Sequence, residues 1–229
     1  MDQRWVLFDL DGTLFDYAAA ETQAVIATLE DAGLEPDADV LASYRRINAQ
    51  HWVALERGET TPDRLRLERW SDTLTEQGIT DVDVEELAGG FLRHLAAGDQ
   101  LIEGAVEVVS EVAERHPIAY VTNGLADVQR PRLDASPLGP YAELTVISDE
   151  IGVAKPHPEI FEAALRGLGD PPRSQVIMVG DNLVADIGGA ANVGLETVWL
   201  ADPTVADPAR NEPQPTYRIA ELRELLTLV

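Results

Sequence analysis

The chain has 229 residues, 45% of them hydrophobic and 25% charged, which suits one large globular domain or a core carrying a smaller insertion and speaks against extensive disorder. Its net charge of −24 repels nucleic-acid backbones and anionic membranes, so neither a nucleic acid polymer nor a membrane is an expected partner. Cysteine is absent, which removes disulfides, zinc–thiolate sites, iron–sulfur clusters and cysteine nucleophiles together.

The first residues, Met1-Asp2-Gln3-Arg4-Trp5, lack a basic region followed by an apolar stretch, and no apolar run approaches the ~20 residues that span a bilayer. A cytoplasmic location is the expectation. Trp5-Val6-Leu7-Phe8 is a short apolar run that ends on Asp9. Its counterparts are Ile118-Ala119-Tyr120-Val121 before Thr122, Leu144-Thr145-Val146-Ile147 before Ser148, Val176-Ile177-Met178-Val179 before Gly180, and Thr197-Val198-Trp199-Leu200 before Ala201. Runs this short and β-rich, without clean alternation, predict strands buried on both faces. Helix-length segments lie between the later ones, at Ala126 to Ala135, Pro158 to Gly167 and Leu183 to Val193, and a helix from Glu103 to Arg115 precedes the second strand. This is an α/β pattern: a parallel sheet core wrapped by helices.

About a hundred residues separate the first strand from the second, far more than one crossover needs. The stretch holds four predicted helices, Tyr17 to Asp31, Ala38 to Arg57, Pro62 to Gln77 and Val84 to Ala97. Gly33, Gly58, Gly78 and Gly98 stand where helix-ending glycines belong. We read 16–97 as an inserted all-helical cap, and 1–15 with 98–229 as the core. Asp202 to Pro215, with four prolines, predicts a surface loop before a closing strand and helix.

In open parallel sheets, ligands bind beyond the carboxyl ends of the strands. Asp9-Leu10-Asp11-Gly12-Thr13 begins there. Residues two apart in extended chain point the same way, so Asp9 and Asp11 can address one substrate, dividing labour as base and acid or sharing a metal. Ordinary turn chemistry is the bland alternative. Gly180-Asp181-Asn182, with Asp186 further on, also follows a strand; helix capping would explain it alone. Several carboxylates at one sheet edge are costly without a divalent cation, and oxygen-only ligands favour Mg2+. Thr122-Asn123-Gly124 offers a hydroxyl and backbone N–H groups suited to phosphoryl oxygens. Lys155, the one lysine beside sixteen arginines, sits in Lys155-Pro156-His157-Pro158 and supplies a compact ammonium that arginine cannot imitate. His157 reads as a loop residue or helix start.

These four motifs, in this order, resemble the haloacid dehalogenase-like superfamily over essentially the whole chain. The resemblance implies a Rossmann-like core with a helical cap and an enzyme that hydrolyses small phosphate esters with Mg2+. It implies that Asp9 attacks phosphorus, that Asp11 acts as acid and then base, and that Thr122 and the N–H of Asn123 hold the phosphoryl oxygens. Lys155 would stabilise charge on Asp9 and the phosphoryl group. Magnesium would be held by Asp9, Asp181 and the carbonyl of Asp11, with Asp186 orienting metal-bound water or Lys155 from just outside. The namesake dehalogenases carry an aromatic residue at the second Asp, so Asp11 points to phosphate chemistry. Val121-Thr122-Asn123-Gly124, the run from Val146 to Pro156, and the cap stretch from Arg46-Ile47-Asn48 to Arg57-Gly58-Glu59 resemble the noncanonical pyrimidine 5′-nucleotidase branch, which implies nucleoside monophosphates as substrates. Sugar phosphates or phosphoglycolate, a phosphomutase, and a non-enzymatic phospho-ligand sensor stay open. So does the oligomeric state, monomer or weak dimer.

Substrate choice is expected in the cap. Tyr44, Asn48, His51, Trp52 and Leu55 fall near one helical face. Asn48 could hydrogen-bond a base and Trp52 could stack on it, with packing inside the cap as the competing expectation for Trp52. Arg45, Arg46, Arg64, Arg66 and Arg69 either approach the phosphate or pair with surface carboxylates.

Overall fold

The apolar runs form the strands of one sheet, in which four of the five runs each have a strand on both sides and the third lies at an edge. The computed structural model describes residues 4–229; Met1 to Gln3, which open the N-terminus read above, lie outside the described residues. Strands β1 (Trp5–Phe8), β2 (Ile118–Thr122), β3 (Ala142–Ile147), β4 (Val176–Gly180), β5 (Glu196–Leu200) and β6 (Tyr217–Ile219) make one sheet. Its order is β3-β2-β1-β4-β5-β6 and every neighbouring pair is parallel. Along β1, Val6 and Phe8 enter one apolar cluster with Tyr120, Ile177 and Val179, while Leu7 enters the opposite cluster with Ala119, Val121 and Met178. Helix α5 (Ala105–Ala113) supplies Val108, Val109 and Val112 to the first cluster. Helix α8 (Pro158–Gly167) supplies Ile160, Phe161, Ala164 and Leu165 to the second. Burial on both faces is why β2 and β4 read as unbroken apolar runs. Short α6 (Ala126–Ala135), α7 (Ser148–Ile151) and α9 (Gly189–Asn192) complete the connections.

The chain divides into two compact units. The first holds the chain up to Tyr17, then Gln100–Ala126 and Leu133–Val229. The second holds Ala18–Asp99 together with Asp127–Arg132. Within the second unit Asp127 pairs with Arg66 at 3.2 Å.

The second unit is built on α1 (Tyr17–Asp31), α2 (Ala38–Glu56), α3 (Pro62–Gln77) and α4 (Val84–Ala96). Side chains stop and start them. Asp37 accepts from the backbone N–H groups of Asp39 and Val40 at 2.9 Å, Thr61 caps α3 with Pro62 in its first turn, and Asp83 caps α4. Gly78 ends α3 at φ 63°, a conformation that costs a side chain dearly. Gly98 has no such role: α4 closes on Ala97 in a right-handed conformation. The unit has its own core, in which Tyr44 lies 4.5 Å from Trp70 and 5.4 Å from Phe91, ring centre to ring centre.

The expected helix over 183–193 differs. Leu183–Gly188 is a π-helical turn that then tightens into α9. Both Asp186 N–H and Ile187 N–H reach back to the Asn182 carbonyl, at 3.0 and 3.3 Å. The wide turn accompanies an inward-facing Asp186, whose carboxylate accepts from Asn182 N–H at 3.0 Å. Among the described residues no helix is long and apolar enough to cross a membrane.

Leu7 is fully buried on the central strand. Leu7→Ala is expected to lower unfolding free energy by about 2–5 kcal/mol, read from urea titration, because the close-packed layer cannot collapse around the void.

Candidate active site

Strand register assembles the site. Phe8 pairs with Tyr120 on one side and Val179 on the other, so the residues that follow emerge at one edge of the sheet. Asp9 N–H still donates to the Val179 carbonyl at 2.9 Å, which fixes the main chain at the start of the first motif. Asp9, Thr122 and Asp181 therefore gather although they lie far apart in sequence.

Lys155 is the hub. Its Nζ donates to Asp9 Oδ1 at 2.5 Å and to the Val121 carbonyl at 2.7 Å, and lies 2.7 Å from Asp186 Oδ1. An ammonium has three donors, and three oxygens surround this one. Lys155, Asp9 and Asp186 are 2%, 6% and 1% exposed, so the pairs are protected from the screening that weakens surface ion pairs. The loop carrying Lys155 is held by Asn123, whose side chain accepts from Lys155 N–H at 2.7 Å and donates to its carbonyl at 2.9 Å. The sequence reading considered only the backbone N–H of Asn123. Its side chain has this second duty, which no motif spacing reveals.

Thr13, the last residue of the first motif, received no role from sequence. Its hydroxyl lies 3.3 Å from Asp9 Oδ2 and 3.3 Å from Asp181 Oδ1, and accepts from Asp181 N–H at 3.1 Å. It stitches the β1 and β4 loops together. Only its place closing the Asp-x-Asp-Gly-Thr run hinted at this. Two glycines make room. A Cβ on Gly12, at φ 90°, would stand 2.5 Å from Asp181 Oδ2, and one on Gly180 would collide with the Asp186 carboxylate. Asn182 accepts from Val184 and Ala185 N–H, so the capping duty expected of Asp181 or Asn182 falls to Asn182. Thr122 is 1% exposed and its Oγ1 accepts from Gly124 N–H at 3.1 Å, which orders the turn beyond β2.

Asp9, Asp181 and Asp186 each offer a carboxylate oxygen, all within 4.8 Å of one another. Burial pushes the Asp9 carboxyl well above the usual carboxylate range; Lys155 pulls it down, and Asp186 and Asp181 push it further up. Desolvation in the crevice and then Asp186 raise Asp181 to about 6. Burial works against the charged form of Lys155, but Asp186 and Asp9 outweigh it and its pKa is raised. Three carboxylates and one ammonium sum to −3 + 1 = −2 when ionised, a deficit that one divalent cation cancels. Hard oxygen donors in this number fit Mg2+. The side chain of Asp11 is not among the three; the expectation gave it a main-chain carbonyl.

The cap candidates sit within the helical unit. Asn48 is 2% exposed, donates to Glu21 and accepts from Arg69 Nη1 at 3.2 Å. Trp52 is half-buried on α2. Tyr44 is fully buried in the aromatic core, and His51 pairs with Asp72 at 2.9 Å. Arg46 pairs with Glu76 and Arg64 with Glu68, the surface pairing that was one of the two expectations. Arg45 donates to Thr22 at 2.7 Å. Arg69 is the exception: 1% exposed, its guanidinium lies 4.5 Å above Phe91.

A parallel sheet with an inserted helical unit, a paired Asp–Lys at its edge and a three-carboxylate cluster define a hydrolase of the haloacid dehalogenase-like class. The model of the haloacid dehalogenase-like hydrolase family matches residues 3–194, and the chain belongs to that family. It is 35% identical to the HAD-hydrolase YfnB of Bacillus subtilis over 224 residues, 97% of this chain and 93% of that protein. It is 33% identical to the pyrimidine 5′-nucleotidase YjjG of Escherichia coli over 231 residues, 98% of this chain and 97% of that one. The crystal structure of Bacillus subtilis YfnB bound to magnesium superimposes with a TM-score of 0.89 at 33% identity, covering 100% of this chain and 99% of that one. Among these hydrolases the chain is an enzyme of the phosphatase kind.

The raised Asp181 carboxyl makes a signed prediction. Between its ordinary 3.8 and about 6, the folded chain binds more protons than the unfolded one, so metal-free stability falls as pH rises through that window. Asp181→Asn is expected to melt above the parent in EDTA at neutral pH, by about 2–4 °C for each kcal/mol of repulsion relieved. The advantage should vanish near pH 4. Mg2+ should raise the melting temperature of the parent and not of the variant, because binding to the folded state alone stabilises it.

Proposed function

We propose that the protein is a Mg2+-dependent phosphomonoesterase that releases phosphate from nucleoside monophosphates through an aspartyl-phosphate on Asp9. The observation that carries this is the Asp9–Lys155 pair at 2.5 Å, set inside the cluster of Asp9, Asp181 and Asp186. A carboxylate that is to attack must be ionised and oriented. Lys155 works toward both, by pulling the raised Asp9 pKa back down against burial and by pinning Oδ1.

Asp9 attacks phosphorus, the bond to the leaving oxygen breaks, and Asp11 gives that oxygen its proton. Asp11, now a carboxylate, takes a proton from water, whose oxygen displaces Asp9 and leaves inorganic phosphate. Thr122 and the N–H of Asn123 hold the phosphoryl oxygens, and Lys155 balances the charge that builds on them. Asp9, Asp181 and the Asp11 carbonyl would hold Mg2+, with Asp186 bracing Lys155, and the ion would supply the positive charge that lets a dianionic ester enter so acidic a crevice. The nucleotide class is supported by the 33% identity to YjjG over nearly the whole of both chains. Trp52, half-buried on α2, is our candidate for contacting the base, whereas the Asn48 side chain is committed to Glu21 and Arg69.

The test is phosphate release from a panel of nucleoside, sugar and small-acid monophosphates, with Mg2+ and with EDTA. Pyrimidine nucleotides are expected to lead, and EDTA to abolish turnover. A folded, metal-loaded protein that releases phosphate from no ester would sink the proposal. Asp9→Asn should lose turnover by about 10³-fold or more, as removal of a covalent nucleophile does. Asp11→Asn with p-nitrophenyl phosphate should give a burst of nitrophenolate and then stall, because that leaving group needs no acid while the intermediate still needs a base.

A further inference from the structure

Trp199 stands near the end of β5, and the activity described above assigns it nothing. It is 5% exposed, and its indole N–H donates to the main-chain carbonyl of Asp181 at 2.8 Å. The place of that bond is informative. The β4–β5 ladder stops at the pair Gly180–Trp199, so Asp181 lies one residue beyond the last rung. The indole carries the tie between the two strands one step further than the backbone does. Asp181 also lines a cavity of about 540 Å³ together with Gly12, Trp199 and Leu222, which leaves part of its surroundings unpacked, and the indole bond supplies a directional tie to its main chain.

The ring is itself held on two sides. The Arg218 guanidinium lies 4.9 Å over it. Arg218 in turn pairs with Asp207 and donates to the carbonyls of Asp202 and Val205, which gathers the loop after β5. Ile187, Ala201 and Leu183 pack with the indole in one small cluster. Leu183 and Ile187 belong to the wide turn that carries Asp186, so one side chain touches the strand end bearing Asp181 and the turn bearing Asp186.

We infer that Trp199 is a positioning residue for the metal: by fixing the Asp181 main chain and bracing the Asp181–Asp186 turn, it sets the affinity for Mg2+. The inference rests on the metal reading of the carboxylate cluster. Buried indoles usually find an acceptor in any fold, so a purely structural role is the competing account. The two differ in what metal does. A structural role lowers stability equally with and without Mg2+; a positioning role moves metal affinity.

Trp199→Phe keeps an aromatic ring and deletes the donor. Calorimetric titration of parent and variant with Mg2+ is expected to show affinity weakened roughly three- to tenfold, the size of one neutral hydrogen bond. The Mg2+ concentration for half-maximal phosphate release should rise by the same factor, and more than the plateau rate falls. A folded variant that binds Mg2+ within about twofold of the parent overturns the inference. A second measurement covers a variant that fails to fold. In the parent, the Trp199 indole proton, assigned by NMR contacts to Ile187 and Ala201, should shift and exchange more slowly when Mg2+ is added. A parent that binds Mg2+ while this proton stays indifferent overturns the positioning role alone. A parent that binds no Mg2+ overturns the metal reading with it.

Discussion

One buried ammonium allows the edge of this sheet to carry three carboxylates. Lys155 donates to Asp9 and the Val121 carbonyl and pairs with the Asp186 carboxylate, with all three side chains buried. In such surroundings an unpaired charge is far costlier than the pair is beneficial. Arginine, used sixteen times in this chain, would bring a planar fork where a compact three-way donor is required. Ionised, the cluster still falls two positive charges short, a deficit that a divalent cation would cancel.

The uncharged members of the motifs serve geometry. Asn123 grips both backbone groups of Lys155, so the ammonium is delivered by a fixed loop rather than a swinging one. Thr13 bridges the β1 and β4 loops. Gly12 and Gly180 leave the space that the Asp181 and Asp186 carboxylates occupy. The wide turn after Asn182 aims Asp186 inward, at the expense of regular helix. Stability is sacrificed here: Asp9 and Asp181 are both held above the normal carboxylate range by burial and by their neighbours. Such strain is common where groups are arranged for chemistry rather than for folding.

The helical unit shows how far a face-by-face reading of a helix reaches. Tyr44, Asn48, His51, Trp52 and Leu55 do share a side of α2, but that side is not uniform. Tyr44 is spent on Trp70 and Phe91, Asn48 on Glu21 and Arg69, and His51 on Asp72. A wheel gives angles about one axis. It cannot say which arc a neighbouring helix covers, and α3 covers part of this one.

The strands, the helices between them and the order of the motifs were legible from residues alone, because burial on both faces leaves unbroken apolar runs and caps leave local signatures such as Asp37, Thr61-Pro62 and Gly78. The candidate residues Asp9, Thr122 and Asp181 could be named because, in a parallel sheet, whatever ends each strand arrives at one edge, and Lys155 because it is the one lysine beside sixteen arginines. What only the tertiary structure decided is how those groups touch. The Thr13 bridge spans 168 residues, the Lys155–Asp9 pair 146 and the Asn123 clamp 32. The π turn at 183–188 follows from where Asp186 finds its partner, and the membership of 127–132 in the helical unit from Arg66 and Asp127. Local propensity acts over a few residues, whereas hydrogen-bond partners across a fold are chosen by the packing that brings them together.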